Sequence, residues 1–188
     1  MAARPAIVGP PQPEPPFPVL LAGPVQHGFG RGSKDLDCPT ANLPDESITP
    51  LISVAQHGIY YGYAQVIPCP DSPLPAQDLH VFPMVMSLGL NPVYKNEKLS
   101  AEIHIMHEFE SDFYGLEIRA VVLGYIRPEL DYVSRGACPS LSLLRSTLTP
   151  HPEALIDDIN TDKAVALASL ARPAYQAFAR DPHFLLEQ

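Results

Sequence analysis

The stretch SAEIHIMHEF, Ser100 to Phe109, alternates polar and apolar residues. In an extended chain Glu102 and His104 project to one side, and Ile103 and Ile105 to the other. A period near two with β-branched residues predicts a half-buried strand. Three more stretches read the same way: GIYYGYAQVI (58–67), HVFPMVMSLGL (80–90) and LEIRAVVLGYIRP (116–128), the last halted by Pro128. The gaps hold turn formers, as in NPVYKNEKL and ESDFYG. Strands linked this closely make an antiparallel meander, so the body is expected to be a β-barrel or sandwich. One segment reads as a strong helix, PEALIDDINTDKAVALASLA (152–171). Pro152 suits a first turn, and Leu155, Ile159, Ala166 and Leu170 share a face.

Around this core the chain is proline-rich, with 23 prolines in 188 residues. They cluster in an N-terminal arm (1–17), in PCPDSPLPAQ (68–77) and in RGACPSLSLLRSTLTPHP (135–152). The arm is expected to be disordered and the second cluster a surface loop. The net charge of −9 disfavours nucleic acid or an anionic membrane as partner, because those need a cationic footprint. No apolar run approaches the ~18 residues of a membrane span. Cys38, Cys69 and Cys138 are scattered and odd in number, which points to a reducing compartment. A cytoplasmic address is expected, with the mitochondrion as alternative; the prolines disfavour the amphipathic helix of a transit peptide.

The chemistry is sought first in GPVQHGFGRGSKDLDCPTANLP (23–44). Its glycines let backbone N–H groups approach an anion, and Arg31 and Lys34 add positive charge. It is not a Walker A loop, since Ser33 stands where glycine is required before the lysine. A flexible turn is the plainer reading of such a loop. Thr40 and Asn42, two residues apart on an extended segment, point the same way. Hydroxyl and amide oxygens are hard ligands of the kind Mg²⁺ accepts beside phosphate. Caps for loop backbone are the alternative. Glu102, mid-strand among apolar residues, is either solvated or an active group. His107 has the opposite parity to Glu102 and His104, so an undistorted strand does not gather the three around zinc.

Four segments then carry a resemblance: GFGRGSKDLDCPTANLP, GIYYGYAQV, MVMSLGLNPVYKNEKLSAEIHIMHEFESDFYG and AVVLGYIRPELDYVS. In this order, over most of residues 22–134, the sequence resembles riboflavin kinase of the eukaryotic single-domain type. The resemblance implies a mainly β fold, a six-stranded antiparallel closed Greek-key barrel with a C-terminal helix packed on it. It implies a catalytic domain over 18–175, with an insert near 135–152, and a tail over 176–188. The implied activity is phosphorylation of the ribityl 5′-hydroxyl of riboflavin by MgATP, giving FMN and ADP. Mn²⁺ or Zn²⁺ are the expected substitutes for Mg²⁺. The partners are small molecules, with no nucleic acid and no membrane span, and a monomer is expected.

Residue by residue, the resemblance makes Glu102 catalytic. It places Gly28, Lys34, Thr40, Ile105, His107 and Tyr114 at ATP. It puts Thr40 and Asn42 on the metal, and Arg127, Leu130 and Tyr132 at the flavin. Asp37-Cys38 and Leu90 stand where the family usually has Gly-Ile and Trp. The alternative function is therefore a non-catalytic flavin-binding barrel with a degraded kinase site. Closure entropy grows slowly with loop length, so the insert should be dispensable. Replacing residues 136–150 by a short Gly/Ser linker is expected to lower Tm by only a few degrees, about 1 kcal/mol. Calorimetry checks this, and global unfolding would place the insert in the core.

Overall fold

A computed structural model of the chain describes residues 4–27, 38–90, 99–129 and 152–184. Six strands form one antiparallel sheet: β1 (Val19–Pro24), β2 (Ala41–Leu43), β3 (Gly58–Ile67), β4 (Phe82–Leu90), β5 (Leu99–Ile105) and β6 (Glu117–Arg127). The spatial order is β1-β6-β3-β4-β5-β2. Within it β6-β3-β4-β5 is a Greek key, with β6 returning beside β3. The alternating stretches are β3 to β6. β5 ends earlier than its alternation suggests, because the chain bends after Ile105 and the His107 N–H turns back to the Ile105 carbonyl at 2.8 Å.

The expected closure into a barrel is not found. β1 and β2 are the two edges of a curled half-barrel. Among the described residues one isolated bridge, Gln26 to Asn42, links the segment after β1 to β2. β2 has only three residues, and Pro24 at the end of β1 has no N–H to give a ladder. Instead a helix, α1 (Asp45–Ile52), packs on β1 and β5 and sends Ile48 and Leu51 into the interior. Its signal was present in the sequence: Asp45 and Glu46 fall in the first turn after Pro44. Pro50 inside it weakens that signal, since proline disfavours a helix interior.

The curl comes from β3 and β6, whose register shifts at Ile59/Tyr60 and again at Tyr61/Gly62. Such bulges bend a strand and increase its twist. At the second shift the Tyr61 ring lies across Gly124, where a Cβ would come within 2.5 Å of it. Alternate residues point inward to form the main core, including Leu21, Tyr60, Met84, Met86, Leu88, Ile103, Ile118 and Val122. The outer face carries a second cluster of Tyr61, Tyr63, Val85, Val121 and Leu123. Over it lie α2 (Pro152–Leu170) and α3 (Pro173–Gln176), which add Ala166, Leu170 and Tyr175.

The buried face of α2 is Asp162, Val165, Ala166, Ser169 and Leu170, the spacing of one helical stripe. Ala166 and Leu170 lie in it as expected, while Leu155 and Ile159 are half-buried. Phe184 is buried in the outer cluster, so the segment expected as a tail packs on the sheet as far as that residue. Nor do residues 4–17 form the disordered arm expected of them. Residues 4–10 lie against the helical layer, held by hydrogen bonds from Arg172 and Tyr175 to the carbonyls of Val8, Gly9 and Pro10, and Phe17 packs on the main core beside Tyr60. The prolines that disfavour a helix also leave these carbonyls unpaired, and the side chains of Arg172, between α2 and α3, and of Tyr175 in α3 use them. The expected insert falls almost wholly outside the described residues.

Candidate active site

The register of the sheet builds the first half of the site. β2 pairs Asn42 with Glu102, and β4 pairs Ser87 with the same Glu102. β3 pairs Ile59 with Ser87, and β6 pairs Arg127 with Ile59. Directly opposed residues of antiparallel strands project to the same face. Asn42, Glu102, Ser87, Ile59 and Arg127 therefore form one row across five strands, about 19 Å long at the usual strand spacing. Their neighbours Ala41, Leu43, Met86, Leu88, Ala101, Ile103 and Tyr60 point into the core, so the row is on the outer face. One end is polar and open, with Glu102 exposed. The other end lies beneath α2.

At the open end Thr40 Oγ1 donates to Glu102 Oε2 at 3.4 Å. A hydroxyl that gives its proton to a carboxylate keeps its lone pairs for another partner. The segment before β2 is pinned by buried His104, whose Nδ1 lies 2.8 Å from the Pro39 carbonyl. A carbonyl only accepts, so Nδ1 carries the proton. Farther along, Ser87 Oγ donates to Glu129 Oε1 at 3.0 Å, which brings a second carboxylate over the row. At the covered end the Arg127 guanidinium grips Asp162 of α2, with Nη2 at 2.6 Å and Nε at 2.9 Å.

The second half is a cleft of about 320 Å³ at the open mouth of the half-barrel. Thr40, Ile105, His107 and Tyr114 line it, together with the apolar Val25, Phe109 and Phe113. The His107 ring stacks on Phe82, with centroids 3.9 Å apart and planes 5° from parallel, and meets Phe109 edge-on at 4.8 Å. Its Nε2–H donates to Asp78 Oδ1 at 2.7 Å. Asp78 is 1% exposed and its Oδ2 has no partner among the described residues. A carboxylate buried with so little compensation is costly and marks a constrained position. Asp78 belongs to a single turn at 76–78, in the proline-rich connection between β3 and β4. Its neighbour Gln77 donates to Glu110 of the cleft loop at 2.6 Å. This connection is thus a buttress of the cleft wall rather than a plain surface loop.

The structure brings together Thr40, Ile105, His107 and Tyr114 in the cleft, with Glu102 and Asn42 at its corner and Arg127 at the far end of the row. Gly28, Lys34, Leu130 and Tyr132 lie outside the described residues. Among those described, no three His, Cys, Asp or Glu side chains gather as a metal cluster. Sequence reasoning missed Asp78, Ser87 and Asp162. Parity placed Ser87 beside Glu102 once both strands were paired, and Asp162 is the acid on the apolar stripe of α2. Asp78 carries no local signal, since its partner is 29 residues away.

A family model for flavokinase, described as riboflavin kinase, matches residues 15–137. A riboflavin kinase of Pyricularia oryzae is 48% identical over 180 residues, covering 92% of this chain and 82% of its own. One from Scheffersomyces stipitis is 43% identical, covering 94% of this chain and 98% of its own. The crystal structure of riboflavin kinase from Trypanosoma brucei superposes with a TM-score of 0.59 at 28% identity, over 89% of this chain and 88% of that one.

If the cleft takes ATP and Asp78 holds the His107 ring in its wall, Asp78→Ala should raise the dissociation constant for ATP about 10-fold, the worth of one buried hydrogen bond. Asp78→Asn keeps an acceptor oxygen and should stay within about threefold of the parent protein. Titration calorimetry reads both, and equal losses in the two variants would remove His107 from the argument.

Proposed function

The chain belongs to the riboflavin kinase family, and from that premise we propose that the cleft and the row are the donor and acceptor halves of one phosphoryl-transfer site. In it ATP phosphorylates the 5′-hydroxyl of riboflavin, giving FMN and ADP. The observation that carries this reading is the Thr40–Glu102 contact, because the two halves meet at that corner. A base on the apolar walls of the cleft points its phosphates toward Thr40. The loop residues Glu108, Glu110 and Asp112 repel phosphate from the other end. Gly28 and Lys34 complete the phosphate cradle in this reading. Riboflavin lies along the row, its ribityl chain at Glu102 and Ser87 and its ring system toward Ile59 and α2. Arg127, Leu130 and Tyr132 frame that end.

Thr40 Oγ1 and Asn42 fit a divalent cation. Both are hard oxygen donors on the same side of β2, and the Thr40 proton is already directed to Glu102. Neither thiolate nor imidazole is in the set, which favours Mg²⁺ over Zn²⁺ and leaves Mn²⁺ acceptable. When bound, the ion would offset phosphate charge. The rest of the work is done by the chain's own groups. Phosphoryl transfer has a loose transition state, so positioning and electrostatics supply most of the rate. His104 fixes the Pro39–Thr40 backbone. Glu102 accepts a hydrogen bond from the 5′-hydroxyl, aligns it with the γ-phosphorus and takes its proton as the bond to ADP breaks. The chemistry-bearing side chains are intact, so a purely binding role is not favoured.

Among the described residues no helix is long and apolar enough to cross a membrane. A reducing, cytoplasmic setting suits the exposed Cys69, which forms no disulfide among the described residues. A monomer is our reading, because both halves of the site come from one sheet.

Glu102→Gln keeps the size and removes the base. It should lower kcat on the order of 10²-fold or more while riboflavin binding, read by flavin fluorescence, is kept. Turnover near that of the parent protein would overturn the assignment. Thr40→Ala and Asn42→Ala should each raise the Mg²⁺ concentration for half-maximal rate and leave the binding of free riboflavin measurable. An unchanged Mg²⁺ dependence in both would remove the metal from β2.

A further inference from the structure

Asp162 is 3% exposed on the sheet-facing side of α2, and its carboxylate holds two guanidinium groups at once. From β6, Arg127 gives Nε to Oδ1 at 2.9 Å and Nη2 to Oδ2 at 2.6 Å. From the N-terminal segment, Arg4 gives Nη1 to Oδ1 at 3.1 Å. Arg4 also bonds the Asp158 carboxylate and, at 3.3 Å, the Asp158 carbonyl. A carboxylate has about four lone-pair sites, so this one is nearly saturated by its two partners. Removing either leaves a buried charge short of compensation.

A second clasp lies farther along the same segment. Arg172 gives Nη2 to the Val8 carbonyl at 2.7 Å and Nη1 to the Gly9 carbonyl at 3.0 Å, and also bonds that of Pro10. The Arg172 guanidinium lies 4.0 Å over the Tyr175 ring. Tyr175 donates to Pro10 O at 3.0 Å, Tyr61 of β3 donates to Val8 O at 3.3 Å, and Val8 N–H donates to Ser169 Oγ at 3.0 Å. Gly9 sits at φ +79°, where a Cβ would fall 2.7 Å from the Tyr61 hydroxyl and 3.2 Å from that of Tyr175. Backbone and space both require glycine there. Burial, then the hydrogen bond with Tyr175, pushes the Tyr61 phenol above its ordinary range, so it stays a donor.

We propose that residues 4–10 are a strap that seats α2 on the sheet, and that Arg4 is a positioning residue for the acceptor: through Asp162 it fixes Arg127 and the helix that roofs the row. Among the described residues the hydrogen bonds of the strap go to Tyr61, Asp158, Asp162, Ser169, Arg172 and Tyr175, none of which lines the cleft, so its effect falls on riboflavin and spares the nucleotide. This rests on the reading of the row as the riboflavin site. A strap that merely added stability would move neither Michaelis constant.

The test uses the full chain with Arg4→Ala, Arg4→Lys and Gly9→Ala. Riboflavin affinity is read by fluorescence quenching, both KM values by steady-state kinetics, and the seating of α2 by amide exchange. Arg4→Ala is expected to weaken riboflavin binding and raise its KM about 10-fold, the scale of one charge-assisted hydrogen bond. KM for ATP should stay within about twofold on the same scale. Arg4→Lys should recover only part, since an ammonium cannot fork between two carboxylates and a carbonyl. Gly9→Ala should give the same riboflavin-selective loss from the other clasp, with faster exchange over α2 in every weakened variant. Unchanged riboflavin affinity in Arg4→Ala and Gly9→Ala overturns the strap, as does an equal rise in both KM values. A parent protein that binds riboflavin but does not phosphorylate it would defeat the kinase reading, while the quenching and exchange results still decide the strap.

Discussion

The pairing of β5 with β2 on one side and β4 on the other is the constraint on which the site depends. It sets Glu102 level with Asn42 and Ser87, and it puts Ala101, Ile103 and Ile105 into the core. Strand side chains alternate, so a slip of one residue would bury the carboxylate and expose the isoleucines. Each fully buried aliphatic side chain contributes roughly 1.5–3 kcal/mol, and an unpaired buried carboxylate costs several. The same energetics that fix the fold therefore fix the row of Asn42, Glu102, Ser87, Ile59 and Arg127. Bending after Ile105 then releases His107 from the sheet so that it reaches Asp78.

The half-barrel makes a molecule with two different faces. Inward-pointing residues fill one core, with α1 covering the open edge where no ladder closes it. On the outside, α2 and α3 cover the aromatic cluster of β3 and β6 but leave the polar end of the row exposed. In the proposed site, donor and acceptor therefore approach from different directions. The cleft opens at the mouth of the half-barrel and the row runs across its outer wall, with Thr40 and Glu102 where they meet. That division makes separate effects on the two substrates physically reasonable.

Asp162 shows how the helical layer is tied to the outer face of the sheet. A buried ion pair is weak evidence for stability, because desolvation offsets much of the attraction. Its better-supported use is to specify one arrangement among several apolar ones. The outer cluster of tyrosines, valines and leucines would tolerate a helix sliding over it. A carboxylate that must meet guanidinium groups from β6 and from the N-terminal segment tolerates little displacement.

Local pattern fixed the four long strands and the terminal helix, because alternation and the helical stripe are written in neighbouring residues. Pro-Thr-Ala-Asn, Glu102 and the Gly-Tyr-Ile-Arg-Pro stretch likewise pointed to the proposed chemistry before any fold was drawn. Tertiary structure alone decided the rest. Whether the sheet closes depends on the short β2 and on Pro24, and the sheet stays open there although six strands are present. The partnership of Asp78 with His107, the Ser87 position in the row and the sharing of Asp162 all join residues far apart in the chain. The arm read as disordered from its prolines is ordered by Asp162, Arg172 and Tyr175, more than 150 residues away, and by Tyr61 of β3. Composition reports what a segment can do alone, and these contacts exist only once distant elements have packed.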